Sequence, residues 1–282
     1  AIAQGSSEHN ISVVLSKADL AKALNAVHDA FFEDLNKTLN IFCLGTGNIG
    51  TTLFRQLKEH KQFLQEHNGI QIKVVGISNS RKMAFNADGI CLDSWKETLE
   101  EADQEADLRG FIDKMKAMNL PNCVFADNTA SPHPIEFYEE VFASTISIVT
   151  CNKIGNSGSY KQYKTFKDTA RQHGVDFYYE TNVGAGLPIV RTLKDLMVSG
   201  DRVIRIEAIL SGTISFIFNN FKGDVTFHDV VKQAQEKGYT EPDPRDDLSG
   251  SDFMRKMLIL ARDAGNQLEP KEVKIESMLP EV

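Results

Sequence analysis

Residues 39–44 form an apolar run that ends in Gly45-Thr46-Gly47-Asn48-Ile49-Gly50, and a helical pattern with Ile49, Leu53, Phe54 and Leu57 on one side follows at once. A strand that is apolar on both faces needs cover on both faces, which places it inside a parallel sheet flanked by crossover helices. Further buried strands are expected at residues 72–77, 123–126, 145–150 and 175–179, with helical segments between them. After Glu180 the pattern changes. Residues 203–210 read as a longer, partly alternating strand, with helices expected at 187–197, 214–221, 227–237 and 252–264. Strands and helices segregated in this way indicate an α+β second domain, with its boundary near residues 173–180.

The glycine string is a weak signal alone, but a buried strand before it and an amphipathic helix after it supply the context that a dinucleotide requires. The first glycine permits the tight turn, the second lets backbone approach a pyrophosphate, and the third lets helix and strand pack closely. The helix N-terminus then offers unpaired N–H groups to the phosphates. A Rossmann-type, doubly wound α/β domain is therefore expected. At the end of the second strand the chain reads Ser78-Asn79-Ser80-Arg81-Lys82, with no carboxylate before Asp88. An acidic residue there would bind ribose hydroxyls, whereas Arg81 suits a 2′-phosphate, so NADP(H) is expected, with NAD(H) as the other choice. Asp127-Asn128-Thr129-Ala130-Ser131 and Cys151-Asn152-Lys153 each follow an expected parallel strand, so both loops are expected to face the cofactor crevice.

Residues 238–250, GYTEPDPRDDLSG, gather Glu241, Asp243, Asp246 and Asp247 ahead of Asp252 and Lys256. Composition alone permits a solvated acidic loop, and EF-hand spacing is absent. Asp252 and Lys256 share a helix face, beside a stripe of Phe253, Met257, Leu260 and Ala264 that is expected to be buried. Periodicity alone favours an exposed pair. In a cleft, a lysine among carboxylates keeps its ammonium form and could protonate a carbonyl oxygen that receives hydride.

Bulk properties narrow the remaining classes. The 282 residues carry 31 Lys plus Arg against 39 Asp plus Glu, a net charge of −8 that disfavours a broad nucleic-acid or acidic-membrane surface. No apolar run reaches the ~20 residues that span a bilayer, and the N-terminus does not read as a signal peptide. Cys43, Cys91, Cys123 and Cys151 show no CxxC spacing, so a reduced, cytoplasmic compartment is expected. The first residues enter mid-pattern. A strand at 11–15 is followed by a helix with Ser16 and Asp19 in capping-box spacing and an apolar stripe of Leu20, Ala23, Leu24 and Val27, which reads as the tail of a larger domain.

Glu180-Thr181-Asn182-Val183-Gly184-Ala185-Gly186-Leu187-Pro188 and the segment from Gly238 through Lys256 closely resemble homoserine dehydrogenases. Asp127-Asn128-Thr129 and Asn152-Lys153 match that family in order and spacing, and the resemblance runs from about Asn40 onward. The first 32 residues resemble the end of an aspartokinase regulatory (ACT) domain, which points to the family's bifunctional form. The resemblance implies an ACT tail over residues 1–36, an NAD(P)-binding Rossmann domain over 37–175, and an α+β catalytic and dimerisation domain over 176–282. It also implies reversible reduction of aspartate semialdehyde to homoserine, on the route to threonine and methionine.

In that reading Lys256 exchanges the proton and Lys153 assists, while Glu241 and Asp252 hold the substrate's polar groups with Asp247 nearby. Gly238, Asn48, Ile49 and Thr129 approach the cofactor, and Glu180 with the carbonyls of Val183, Ala185 and Leu187 binds a monovalent cation, commonly sodium. Family members also run past Val282 and form homo-oligomers, dimers or higher, when full length. The resemblance thus implies a chain lacking part of its catalytic domain, with impaired cofactor binding, dimerisation or activity. Two rivals stand beside it: an aldehyde dehydrogenase using Cys151 as a thiolate nucleophile, and a nucleotide-sensing domain with an inert loop.

Overall fold

The computed structural model describes residues 37–240 and 243–276, together with residues 2–4, 11–17 and positions 20, 23, 24, 27 and 31. Near the N-terminus, β1 (Ile2–Gln4) and β2 (Ile11–Val13) pair antiparallel, with Ile2 opposite Val13. Asp19, and with it the expected capping box, lies outside the described residues. The described helical positions Leu20, Leu24 and Val27 are exposed.

Seven strands form one sheet in the order β6-β5-β4-β3-β7-β8-β9. They are β3 (Lys37–Leu44), β4 (Ile70–Ser78), β5 (Lys82–Phe85), β6 (Gln104–Glu105), β7 (Cys123–Asp127), β8 (Ser147–Thr150) and β9 (Phe177–Tyr178). The chain divides into two compact units, one holding residues 1–128 and 140–148, the other 129–139 and 149–282.

In the first unit β3 lies parallel to both β4 and β7. Its alternate side chains are buried on opposite faces. Ile41 and Cys43 pack with Phe54 of α1 (Asn48–Asn68) and Leu99 of α2 (Trp95–Glu100). Phe42 meets Phe111 of α3 (Leu108–Met118) edge-on, with ring centroids 6.4 Å apart. Burial on both sides is why residues 39–44 read as an apolar run, broken only by Asn40, whose buried carboxamide donates to Pro121 O at 2.7 Å. Complete burial also pushes the Cys43 thiol up to about 12, which keeps it an inert packing group. One expectation needs correction, because β5 and β6 run antiparallel at one edge and the sheet is mixed rather than wholly parallel. Both strands are too short to carry a readable period.

The second unit is largely helical. It contains α5 (Ile154–Ser157), α6 (Tyr160–Gln172), α7 (Ile189–Val198), α8 (Gly212–Asn220), α9 (Phe227–Glu236), α10 (Pro244–Leu248) and α11 (Ser251–Asp263); α4 (Tyr138–Ala143) precedes β8. Side-chain caps start four of these helices. Ser159, Ser211, Thr226 and Asp243 accept from the N–H groups of Gln162, Ile214, Asp229 and Arg245, satisfying donors that a helix leaves open. Tyr179, Val183, Val190, Ile259 and Leu260 make one core, and Ile217, Val230, Ala234 and Leu248 another.

Two further expectations need revision here. Residues 203–210 form no strand, and Ile204 is 96% exposed. Among the described residues no strand lies beside them to complete a ladder, and alternation without a partner does not make a strand. On α11 the expected buried stripe holds only in part. Leu260 is buried and Met257 and Ala264 are half-buried, but Phe253 is exposed, and Leu258, Ile259, Arg262 and Asp263 are buried beside them.

Candidate active site

The glycine turn in the first unit is shaped by close backbone approach. Gly45, at φ +90°, donates its N–H to Ser78 O at 2.8 Å. A Cβ at Gly50 would stand 2.1 Å from Gly45 O, so the strand end and the first turn of α1 meet only because position 50 has no side chain. A Cβ at Gly47 would meet nothing within 4 Å, so the turn is open at that point. Thr51 Oγ1 donates to Thr46 O at 3.1 Å and braces the turn, while Asn48 and Ile49 are exposed at the start of α1. Ile49 therefore leaves the apolar face on which its spacing had placed it. The Nδ2 of Asn128 is buried with no hydrogen-bond partner, 3.7 Å from the position of that Gly50 Cβ. An orphaned donor beside an open glycine turn fits a ligand rich in acceptors, such as a dinucleotide.

At the end of β4, the Asn79 carboxamide oxygen accepts from the N–H groups of Arg81 and Lys82, both at 2.7 Å, and fixes the turn. Lys82 is spent on structure, since its Nζ donates to Glu100 O at 2.6 Å and Ala102 O at 2.8 Å. Arg81 stays exposed and is the cation of this turn that can reach an anionic ligand.

In the second unit the lysine and aspartate candidates come together. Asp252 Oδ2 lies 2.6 Å from Lys256 Nζ, and Asp252 Oδ1 lies 3.2 Å from Lys153 Nζ. Side-chain exposures are 12% for Asp252, 15% for Lys256 and 24% for Lys153, which overturns the exposed-pair reading. The ammonium of Lys256 also donates to Leu210 O at 2.8 Å. Burial pushes the Asp252 carboxyl up, but the hydrogen bond from Lys256 and the charges of both lysines outweigh it and hold the group below the usual carboxylate range. Lys153 was a candidate by sequence; its pairing with a residue nearly a hundred positions away was not readable there.

The other acidic residues have separate partners. Asp243 caps α10 and binds the Arg245 guanidinium at 2.6 Å, and Arg245 holds that carboxyl below its usual range. Asp247 is buried and accepts from Thr213 Oγ1 at 3.0 Å, tying α10 to α8. Glu241 lies outside the described residues. Gly238 follows α9 with its N–H on Gln235 O at 2.9 Å, and Thr129 Oγ1 accepts from Ser131 N at 3.3 Å.

The carboxylate of Glu180 caps α7, taking the N–H of Val190 at 2.8 Å and of Arg191 at 2.9 Å on separate oxygens. Gly184 and Ala185 both have positive φ, +79° and +53°, in the loop between Val183 and Leu187. Among the described residues no three His, Cys, Asp or Glu side chains gather as a metal site, so a cation in this loop would depend on backbone carbonyls beside one carboxylate.

Two models of one family cover most of the chain: homoserine dehydrogenase over residues 188–280, and the homoserine dehydrogenase NAD-binding domain over 45–180. The chain belongs to the homoserine dehydrogenase family. An ACT domain model matches residues 1–31. The chain is 44% identical over 283 aligned residues to a chloroplastic bifunctional aspartokinase/homoserine dehydrogenase 2 of Zea mays, covering all of this chain but only 31% of that protein. Among solved structures it resembles a protein of unknown function from Candida auris, with a TM-score of 0.76 and 34% identity, covering 87% of this chain and 68% of that one. It also resembles homoserine dehydrogenase from Thermoplasma acidophilum, with a TM-score of 0.69 and 27% identity, covering 84% and 72% respectively.

Proposed function

We propose that this chain is the dehydrogenase part of a bifunctional aspartokinase–homoserine dehydrogenase and reduces L-aspartate 4-semialdehyde reversibly to L-homoserine, in threonine and methionine biosynthesis. The observation that carries the reading is the largely buried Lys153–Asp252–Lys256 group, whose members lie in the two segments matched to the family, Lys153 in one and Asp252 and Lys256 in the other. NADPH, when bound, would supply the hydride for the carbonyl carbon. The substrate oxygen then takes a proton from Lys256 Nζ, and homoserine returns it in the reverse direction. Asp252 holds that ammonium from one oxygen and Lys153 from the other, so the donor is oriented before substrate arrives. Glu241 and Asp252 hold the substrate's polar groups, and Asp247 contributes by fixing α10.

For the cofactor, Gly45, Thr46, Gly47, Asn48, Ile49 and Gly50 bind the phosphates, with Thr129, Lys153 and Gly238 as further contacts. Preference for NADP(H) rests on Arg81, the exposed cation of a turn whose lysine is engaged elsewhere. The hard oxygen donors of Glu180, Val183, Ala185 and Leu187 suit a sodium ion, whose part is to order their loop rather than to do chemistry. On this reading residues 1–36 are an ACT tail, 37–175 the nucleotide domain and 176–282 catalytic, and the full-length protein is a homo-oligomer. Four free cysteines accord with a reducing compartment, cytoplasmic or, as the maize relative's name states for that protein, chloroplastic. No helix among the described residues is long and apolar enough to cross a membrane.

The test follows NADPH absorbance when aspartate semialdehyde is added to the intact protein. Turnover is expected to fall by about 10²–10⁴-fold in K256A and to persist in C151S. Equal turnover in K256A and the unchanged protein would overturn the proposal, and loss in C151S alone would favour a thiolate mechanism.

A further inference from the structure

We infer that Arg262 is a positioning residue, which sets the Lys153–Asp252–Lys256 geometry by joining the helix that carries two of these groups to the turn that carries the third. Arg262 is 3% exposed. Its Nη1 donates to Asn156 O at 2.7 Å and its Nη2 to Gly158 O at 2.8 Å, while Nε and Nη2 both reach Leu268 O, at 3.1 and 2.8 Å. Among the described residues no carboxylate forms a salt bridge with it. A buried guanidinium bonded to carbonyls, with Glu269 acting on it only through its field, is a costly way to fill space, since burial of the charge outweighs that attraction. Its planar fork can, however, hold two carbonyls at a fixed spacing, which an apolar side chain cannot do.

Both ends of this tie lead to the site. Asn156 and Gly158 flank the C-terminus of the one-turn helix α5, where carbonyls lack intrahelical partners. Lys153 opens the same turn, and its carbonyl accepts from Asn156 N, Ser157 N and Ser157 Oγ, at 3.2, 3.0 and 2.8 Å. The buried carboxamide of Asn156 donates to Asn182 Oδ1 at 3.0 Å, and Asn182 Nδ2 donates to Thr150 O at 3.2 Å, so the turn is held from its other side too. On α11, Arg262 follows Lys256 by six residues and Asp252 by ten, roughly 9 and 15 Å along a rigid helix. The next residue, Asp263, is pinned by Tyr163 OH at 2.8 Å and Tyr179 OH at 2.7 Å, which stops the helix end from turning. The Lys153–Asp252 contact, at 3.2 Å, is the longer of the two ion pairs and so the first to part if α11 slips.

The catalytic meaning of this tie rests on the proposed role of Lys256, but the tie itself can be tested without turnover. The probe is R262K in the intact protein, which keeps the charge and loses the fork. An amine-acylating reagent, read by mass spectrometry, is expected to modify Lys153 severalfold faster in R262K, while Lys116, paired with Glu140 elsewhere, is unchanged. In the turnover assay kcat is expected to fall by about tenfold to a hundredfold, with KM for the semialdehyde nearly constant. Unchanged Lys153 labelling with a lower melting temperature would make Arg262 merely structural and overturn the inference. Faster labelling in R262K, in a protein where K256A leaves turnover intact, would uphold the tie and remove the assigned chemistry. Should R262K not fold, R262Q replaces it. Unfolding of both would make Arg262 a folding residue and sink the idea.

Discussion

The glycine turn after β3 and the charged face of α11 reach their geometry in opposite ways. In the turn, the decisive feature is an absent atom, because the Gly45 carbonyl occupies the place of a Cβ at position 50. On α11 the decisive feature is charge withdrawn from water, with Asp252, Lys256, Arg262 and Asp263 all largely buried and each bonded. The first is a steric device, fixed by neighbours in sequence and backed by an apolar sheet. The second is an electrostatic device in which one pair, Asp252–Lys256, is local and the other partners come from residues far along the chain. They therefore fail differently: the turn should fail through added volume, and the helix through removed charge.

The largest effect is expected at Gly50. G50A gains up to ~1 kcal/mol of helix propensity but drives a methyl to 2.1 Å from the Gly45 carbonyl oxygen, a clash with backbone that cannot swing aside, so its cost should exceed the ~1–3 kcal/mol of ordinary overpacking. A lower melting temperature and weaker NADPH binding should appear together. G47A separates the two effects, because its methyl meets no protein atom within 4 Å. Its melting temperature should hold while NADPH affinity, read by fluorescence titration, falls. Undiminished affinity in G47A would mean that the open side of the turn does not receive the pyrophosphate.

Next comes the charge device. D252N leaves two ammonium groups without their shared carboxylate, and loss of one partner from a mostly buried, hydrogen-bonded group costs about 2 kcal/mol. The pH dependence follows from the direction of the Asp252 shift. A carboxyl held low in the folded chain stabilises it above the unfolded value, about 3.9, and that contribution fades as pH falls through the lower folded value. Urea melts of the two proteins should thus differ at pH 7 and converge as the pH drops below 4. A gap that persisted undiminished at pH 2 would mean that Asp252 acts through shape rather than charge.

The same contrast explains what could be read before folding. Strand β3, the glycine turn and α1 were legible because each element's signal is local: apolar on both faces, then glycine, then a helical period. Lys153, Asp252 and Lys256 were legible as candidates through spacing and family resemblance, but their burial was not, since hydrophobic periodicity counts a paired aspartate as a surface residue. Arg262 and Asp263 escaped notice for the same reason, and Asn128 because an unpartnered amide is visible only once its neighbours are in place. The exposed Phe253 is the mirror error, an apolar residue assigned to the interior by spacing. Residues 203–210 were misread because a strand is a property of two segments, and only one was in view.

A smaller effect is expected at Arg81, where contact with a 2′-phosphate would be exposed and screened by salt. R81A should raise KM for NADPH about tenfold, near the lower end of what a charge-assisted hydrogen bond supplies, and leave KM for NADH alone. The penalty should shrink as ionic strength rises. An unchanged NADPH to NADH ratio would remove the cofactor preference while leaving the glycine turn, and the comparison with α11, as they stand.

The smallest effect tests whether the region between α7 and α8 belongs to either device. Ile204 is 96% exposed and Ile209 is exposed as well, in a segment without regular structure. Substitutions at such positions usually change stability by no more than about 0.5 kcal/mol, so I204T in the 282-residue chain should melt with the unchanged protein. Hydrogen exchange sharpens the point, because amides outside a ladder should exchange early while those of β3, bonded to strands on both sides, stay protected. The exception within the segment is instructive. Leu210 accepts from Lys256 through its carbonyl, so its own position is tied to the charged helix even though no strand holds it. Strong protection across residues 203–209, or a loss of about 2 kcal/mol or more in I204T, well beyond the usual surface range, would show that a partner segment covers these residues. The strand expected from alternation would then have been right, and the failing would lie in the pairing rather than in the period.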